Sequence, residues 1–313
     1  MKILLAGGGG EVGQYLARDF LGRGHEVAIL DRPEKEGESG LIAGTTYFGG
    51  DLSNRGLVRE AIKGADTVIN LAWSFADDPQ TIFGGDIAGH INLLEEAVAN
   101  KVRAFIYTST AVVYGRAVTH PVTETHPCLT GEARKPLYAL GKQTAEELCR
   151  HYHRDKGLAA TIIRFWWAFG DTIGGSNLRN LVRTALKNEP LEMVQGAGGL
   201  FATMADLGRA ALAAAETPAA AGETYNIGSL FLSWQEIGEI IVRLTRSRSE
   251  VKFVPPDKWR GPAFLNEIWD LDVTKAKAEL GFEAESPREG LKAQFARALT
   301  ACVTQVQQGA TTA

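Results

Sequence analysis

The chain has 313 residues, 45% hydrophobic and 22% charged, with a formal charge of −4. That is the balance of a soluble protein with enough apolar material for one large domain or two intimate ones. It has no basic footprint, which excludes nucleic acid as the expected partner. Its three cysteines, Cys128, Cys149 and Cys302, lie far apart in no metal-ligand spacing. An odd, sparse count reads as reduced and intracellular rather than as a disulfide framework. The histidines show no ligand spacing either, so no metal is expected. The opening MKILLAGGGG has too short an apolar run for a signal peptide, and no stretch reaches a membrane span. The expectation is a cytoplasmic protein with no membrane partner.

In chain order, KILLA (2–6), EVAIL (26–30), TYFGG (46–50), DTVINLA (66–72), RAFIYTS (103–109) and AATIIRF (159–165) read as strands. Between them, residues 11–23, 54–64, 87–100 and 138–156 carry helical periodicity. Such alternation predicts a parallel sheet covered by helices on both faces. After residue 165 the rhythm loosens. Ser233 with Glu236, and Ser286 with Glu289 after Pro287, read as capping boxes, and Gly281 as the end of the helix in TKAKAEL. The polar tail from Val303 is expected to be disordered.

AGGGGEVG lies between the first strand and the first helix, with Gly7, Gly10 and Gly13 spaced G-x-x-G-x-x-G. The first glycine serves a tight turn, the second lets backbone approach a pyrophosphate, and the third lets helix and strand pack closely. The helix N-terminus then offers N–H groups to the phosphates. Asp31 closes the second strand, 18 residues after Gly13. A carboxylate there accepts from the adenine ribose hydroxyls of NAD and repels the 2′-phosphate of NADP. Arg32 beside it works the other way, since a guanidinium accommodates a phosphate. Asp51-Leu52, after the third strand, is placed to edge the adenine or simply to turn.

The strand in FIYTSTAVVYG ends on three hydroxyls, Thr108, Ser109 and Thr110, which cost free energy if buried unpaired. They mark either a turn or a place where something is held. A tyrosine whose pKa is lowered by a nearby cation can serve as acid/base beside a reacting oxygen, and Tyr and Lys at i and i+4 meet that need. Two pairs compete, Tyr138/Lys142 and Tyr152/Lys156, fourteen residues apart on one helix. Ligands bind beyond the carboxyl ends of parallel strands, where the following helices begin. Pro136 marks the helix start, so Tyr138 is at the ligand end. Thr110 is on the same side and can bind the same oxygen.

At these residues the chain resembles the extended short-chain dehydrogenase/reductases, the NAD-dependent epimerase/dehydratase family. The resemblance runs from residue 3 to about 295 through AGGGGEVG, VINLAW, HINLLEEA, YTSTAVVYG, YALGK, GETYNIGS and LDVTKAKAELGF. It implies Thr110, Tyr138 and Lys142 as the catalytic set. It also implies NAD contacts at Gly7, Gly10, Glu11, Val12, Gly13, Asp31, Arg32, Asp51, Leu52, Leu71, Ala72, Trp73, Tyr138 and Lys142. Substrate contacts are expected at Thr110, Ala111, Trp166 and Trp167, the two tryptophans reading equally as core aromatics. The implied fold is α/β, a Rossmann-type doubly wound parallel sheet with a smaller C-terminal α/β substrate domain. Residues 1–165 with a return at about 203–227 form the first part, and about 166–202 with 228–302 the second. A homodimer through helices that include the YxxxK helix is implied.

Departures from the family pattern bear on the reaction. Ala111 and Val112 follow Thr110 where dehydratases and decarboxylases carry an acid. Trp167 replaces an asparagine, and Asp86 stands where relatives have asparagine. No Lys or Arg occurs from Leu191 to Asp206, where nucleotide-sugar enzymes place a diphosphate-binding arginine. Arg179, Arg183 and Arg260 are the candidates to replace it. The expected activity is hydride movement at a secondary alcohol or ketone of a sugar or sugar-nucleotide-like substrate. A ketoreductase on a small non-nucleotide substrate and a non-catalytic dinucleotide-binding protein are the alternatives.

Overall fold

The computed structural model describes residues 1–32 and 42–311, with side chains to 309. Its main sheet has seven parallel strands. Six come from the first half: β1 (Lys2–Ala6), β2 (Glu26–Asp31), β3 (Thr45–Gly49), β4 (Thr67–Asn70), β5 (Ala104–Thr110) and β6 (Ala160–Phe165). The seventh, Thr224–Asn226, pairs with β6. Across the sheet the order is Thr224–Asn226, β6, β5, β4, β1, β2, β3. The order reverses between β1 and β4, which opens a crevice at their carboxyl ends, the usual ligand position in such sheets.

Alternation along the strands explains the two helical layers. Ile3 and Leu5 of β1 face one side, packed with Leu16, Phe20, Leu207 and Ala211. Leu4 and Ala6 face the other, packed with Val58, Ile62, Leu93 and Tyr152. Ser233 forms the expected full capping box with Glu236, and two further helix starts are capped, Asn54 accepting from Leu57 N–H and Thr203 from Asp206 N–H. Gly281, at φ 62°, closes the Thr274–Leu280 helix.

A second layer rests on the short strand Gly198–Thr203. It is flanked by Leu230–Ser233 antiparallel and by Trp167–Phe169 and Ile268–Trp269 parallel. Its core is aromatic, built from Trp166, Phe169, Phe201, Trp234, Trp269 and Phe295.

Two expectations are corrected. Residues 274–282 do not stay with the second layer: Ala276, Leu280 and Phe282 form an apolar stripe that is buried in the first. The tail is not disordered from Val303, because the Arg288–Thr311 helix runs through it. Leu299, Val303 and Val306 continue one buried stripe at helical spacing. Residues 312 and 313 lie outside the described residues.

The layers meet over a buried ion pair. Glu146, on the Pro136–Lys156 helix, accepts from Arg164 Nε at 2.8 Å and Nη2 at 2.5 Å. Ser109 Oγ donates to it at 2.5 Å and Arg150 Nη2 at 3.1 Å. Hydrogen bonding and charge from Arg164 hold the Glu146 carboxyl below its usual range against the opposing effect of burial. Replacing Arg164 with Met strands that carboxylate, and we expect a loss of about 3–5 kcal/mol in urea unfolding. A loss under 1 kcal/mol would show the partly exposed Arg150 suffices alone.

Candidate active site

The glycine loop is shaped by close approach at the crevice. Gly7 has φ 80°, and a Cβ on it would lie 2.5 Å from the Ala72 nitrogen, at the end of β4. A Cβ on Gly13 would lie 2.5 Å from Gly8 Cα, so the third glycine packs the helix against the loop itself. Gly8 is equally tight against Leu5 and Ile29, a requirement the spacing argument missed. A Cβ on Gly10 would meet nothing closer than Gly7 O at 3.5 Å, which leaves the helix N-terminus approachable. Asp31 Oδ2 accepts from Gly9 N–H at 2.8 Å, which fixes the carboxylate at the end of β2 beside this loop. An open backbone cradle with an acidic group at its flank fits a dinucleotide.

The other expected cofactor residues line this crevice to different degrees. Leu71 N–H donates to Ala6 O, and Ala72 N–H to Asn70 Oδ1, so both sit at the mouth between β1 and β4. Val12 packs with the first layer. Glu11 starts the helix and accepts from Thr172, tying the loop to the second layer. Arg32 N–H and Asp51 form local turns, the latter through Ser53 N–H at 2.8 Å. Leu52 packs beneath Gly89.

At the carboxyl end of β5, Thr110 Oγ1 accepts from Val112 N–H at 3.2 Å. Thr110 and Tyr138 line the same cavity, and the Thr110 hydroxyl favours the ionised form of the phenol. Burial pushes the Tyr138 phenol up to about 12; Thr110 and the Arg134 charge pull the other way. Lys142, one turn on, is fully buried and pushed down to about 7 by desolvation, which Asp86 and Glu146 oppose. Its Nζ donates to Thr108 O at 3.0 Å and lies 4.3 Å from the Trp73 ring and 5.0 Å from the Tyr107 ring. The charge that lowers the phenol's pKa is that of Arg134, while the Lys142 ammonium bonds to the strand at Thr108 O. Tyr152, the rejected candidate, is buried at the far end of the helix and donates to Glu95.

The loop after β4 covers this group. Ser74 donates to Asp86 from Oγ at 2.6 Å and from N–H at 3.0 Å. Asp86 sits on a π-helical turn, Ile82–Ile87, a geometry common at functional sites. Burial raises its carboxyl pKa. Phe75 has φ 57° and is 67% exposed, yet its ring stacks on Tyr138 at 5.8 Å.

A cavity of about 250 Å³ opens over Thr110 and Tyr138, walled by Phe75, Val112, Trp166, Trp167 and Phe264. Arg134, Lys135 and Asn177 also reach it. The Ala111 methyl is fully buried in the second-layer core, and the next residue, Val112, lines the cavity. Sequence reasoning missed Phe75, Arg134, Lys135 and Phe264; the position of Arg134 just ahead of Pro136 was the available signal. Among the described residues no group of His, Cys, Asp and Glu could hold a metal, and no helix is long and apolar enough to cross a membrane.

A doubly wound sheet with a glycine loop at its switch point, and Thr110, Tyr138 and Lys142 near the same strand ends, is the arrangement of a Rossmann-type dinucleotide-binding fold. The chain belongs to the NAD-dependent epimerase/dehydratase family, whose model matches residues 3–228. It is 30% identical to a UDP-N-acetyl-alpha-D-glucosaminuronate decarboxylase of Bacillus cytotoxicus, over 93% of this chain and 95% of that protein. It is 27% identical to UDP-glucuronic acid decarboxylase 1 of Arabidopsis thaliana, over 93% and 68%. Among solved structures, the UDP-glucuronic acid 4-epimerase of Bacillus cereus in complex with NAD superposes with a TM-score of 0.75 at 22% identity, covering 98% of this chain and 99% of that one. NAD is thus the family's cofactor, and the cradle at Gly7–Gly13 with Asp31 fits it.

Two expectations follow. NAD should bind more tightly than NADP in direct titration, because the Asp31 carboxylate opposes a 2′-phosphate; equal affinities would mean Arg32 offsets it. The second concerns Lys142, whose folded pKa lies below its unfolded value of 10.5. As pH falls from about 10 toward 7 the unfolded chain gains a proton the native state does not, so this group's contribution to stability falls. Below 7 the deficit is constant. Lys142→Met should raise the Tm of the cofactor-free protein by a few degrees at pH 7, with the gain shrinking toward pH 10. A lower Tm for the variant throughout would overturn the assignment of Lys142 as a buried group held at a cost.

Proposed function

We propose that the protein is an NAD-dependent enzyme that moves a hydride at a secondary alcohol or ketone of a sugar or sugar-nucleotide-like substrate, with Tyr138 as acid/base. The observation that carries this reading is that Thr110 and Tyr138 line one cavity together, at the carboxyl end of β5. Thr110 accepts from backbone and donates outward, so it orients a substrate oxygen toward the phenol. When an alcohol is oxidised, Tyr138 receives its proton; when a ketone is reduced, Tyr138 gives one. NAD, when bound, supplies the hydride acceptor or donor. Lys142 is one turn away to support the charged phenolate and to reach the nicotinamide ribose.

Val112 faces the cavity at the turn where dehydratases and decarboxylases carry an acid. An apolar group there offers no proton for β-elimination, which favours epimerisation or net oxidation or reduction. A second copy of the chain fits as partner, since Ile91 and Leu140 are exposed on the Ala88–Ala99 and Pro136–Lys156 helices.

Tyr138→Phe should lower turnover by about 10²-fold or more, the usual loss for a general acid/base. Tyr152→Phe should stay within a few-fold of wild type. Equal losses in the two variants would refute the choice of Tyr138.

A further inference from the structure

The walls of the cavity limit what can enter it. A Cβ on Gly199 would lie 2.2 Å from the Trp166 ring, so that ring rests directly on the Gly199 backbone. Trp167 rests on Gly175 in the same way, at 2.4 Å. Trp166 is further held by Phe201 at 4.9 Å and stacked on Phe264 at 5.5 Å. Packed interiors of this kind do not swing open cheaply. At about 250 Å³, the space lies below the roughly 300–1,000 Å³ of sites for drug-sized ligands.

The charges are as restrictive as the volume. Arg179 and Arg183 line a different groove, against Val306 of the last helix. Arg260 Nη1 donates to the carbonyls of Asp257 and Trp259. None of the three reaches the cavity. The strand Gly198–Thr203 has no cation, and Trp166 fills the place a side chain at 199 would need. What the cavity has is Arg134 and Lys135 at one edge. Arg134 lies 4.4 Å over the Phe264 ring and gives one nitrogen to Glu267 at 3.0 Å. Its other nitrogens, and Lys135, have no ion-pair partner among the described residues.

We infer that the substrate is a free, non-nucleotide acid of about monosaccharide size. Its hydroxyl or keto carbon lies against Tyr138, its ring between the aromatic walls, and its single carboxylate on Arg134 and Lys135. A diphosphate, with about two charges, normally requires charge-assisted and often bidentate donors. One half-neutralised guanidinium and one ammonium suit a carboxylate instead. This inference rests on the hydride-transfer reading above and narrows it.

The test is calorimetric binding to the NAD-loaded protein with four probes: D-glucuronate, D-galacturonate, D-glucose and UDP-glucuronate. One or both free acids should bind about tenfold or more tighter than D-glucose, and UDP-glucuronate no tighter than the better acid. The double variant Arg134→Gln/Lys135→Gln should reduce the acid-over-glucose preference about tenfold while keeping the wild-type melting temperature. UDP-glucuronate binding tenfold tighter than either acid, or neither acid exceeding D-glucose, overturns the inference. The underlying reading fails separately: Tyr138→Phe turning over a bound acid at the wild-type rate would refute Tyr138 as acid/base while leaving the binding order intact.

Discussion

The carboxylate of Glu146 is the fixed point from which the site is measured. It is buried, and an unpaired charge there would cost several kcal/mol, so its donors are obligatory. Two of its donors, and Glu146 itself, lie near residues of the site. Ser109 precedes Thr110 on β5, Arg164 lies two residues before Trp166, and Glu146 itself is one turn beyond Lys142. Tyr138, Lys142 and Glu146 recur at four-residue spacing, which puts all three on one helix face. One satisfied ion pair thus sets the distance between helix, strand and the first aromatic wall of the cavity.

The cofactor side is set by absence of side chains. Gly7 against Ala72 and Gly13 against Gly8 bring backbones together where any Cβ would collide. That contact puts the start of the first helix at the reversal of strand order, where N–H groups point into the crevice. Asp31 bonded to Gly9 N–H holds the same loop from the side of β2. The Glu11–Thr172 contact then links this loop to the segment that runs to Gly175, the glycine under Trp167. Cofactor cradle and cavity wall are therefore mechanically continuous.

The strands, the parallel order and the position of Tyr138 at the start of its helix, with Tyr152 at the far end, were legible because they rest on local periodicity and on the polarity of parallel sheets. The glycine loop was legible because its spacing has a steric cause. What was not legible depends on three-dimensional neighbours. Arg134 becomes a cation beside Tyr138 only because the Phe264 ring and Glu267, far along the chain, hold it there. Phe75 covers Tyr138 through a positive φ that its sequence gives no reason to expect. The end of the last helix, from Val303, reads as a polar tail, since a stripe of Leu299, Val303 and Val306 is sparse in linear view and becomes apolar on one face only when wound. Lys142 stands at the spacing that puts it on the Tyr138 face, but spacing does not fix which way a flexible ammonium turns, and here it bonds to Thr108 O.

That last point determines how the site starts. Burial pushes the phenol of Tyr138 up to about 12 and the ammonium of Lys142 down to about 7, so desolvation drives both toward their neutral forms. Three features oppose it: the Thr110 hydroxyl and the Arg134 charge favour the phenolate at Tyr138, and the Trp73 and Tyr107 rings favour an ammonium at Lys142. Asp86 adds a negative charge that supports Lys142 and opposes the phenolate. Because Asp86 is also bonded to Ser74, beside both Trp73 and Phe75, the loop that covers the cavity and the carboxylate that acts on Tyr138 and Lys142 are one unit.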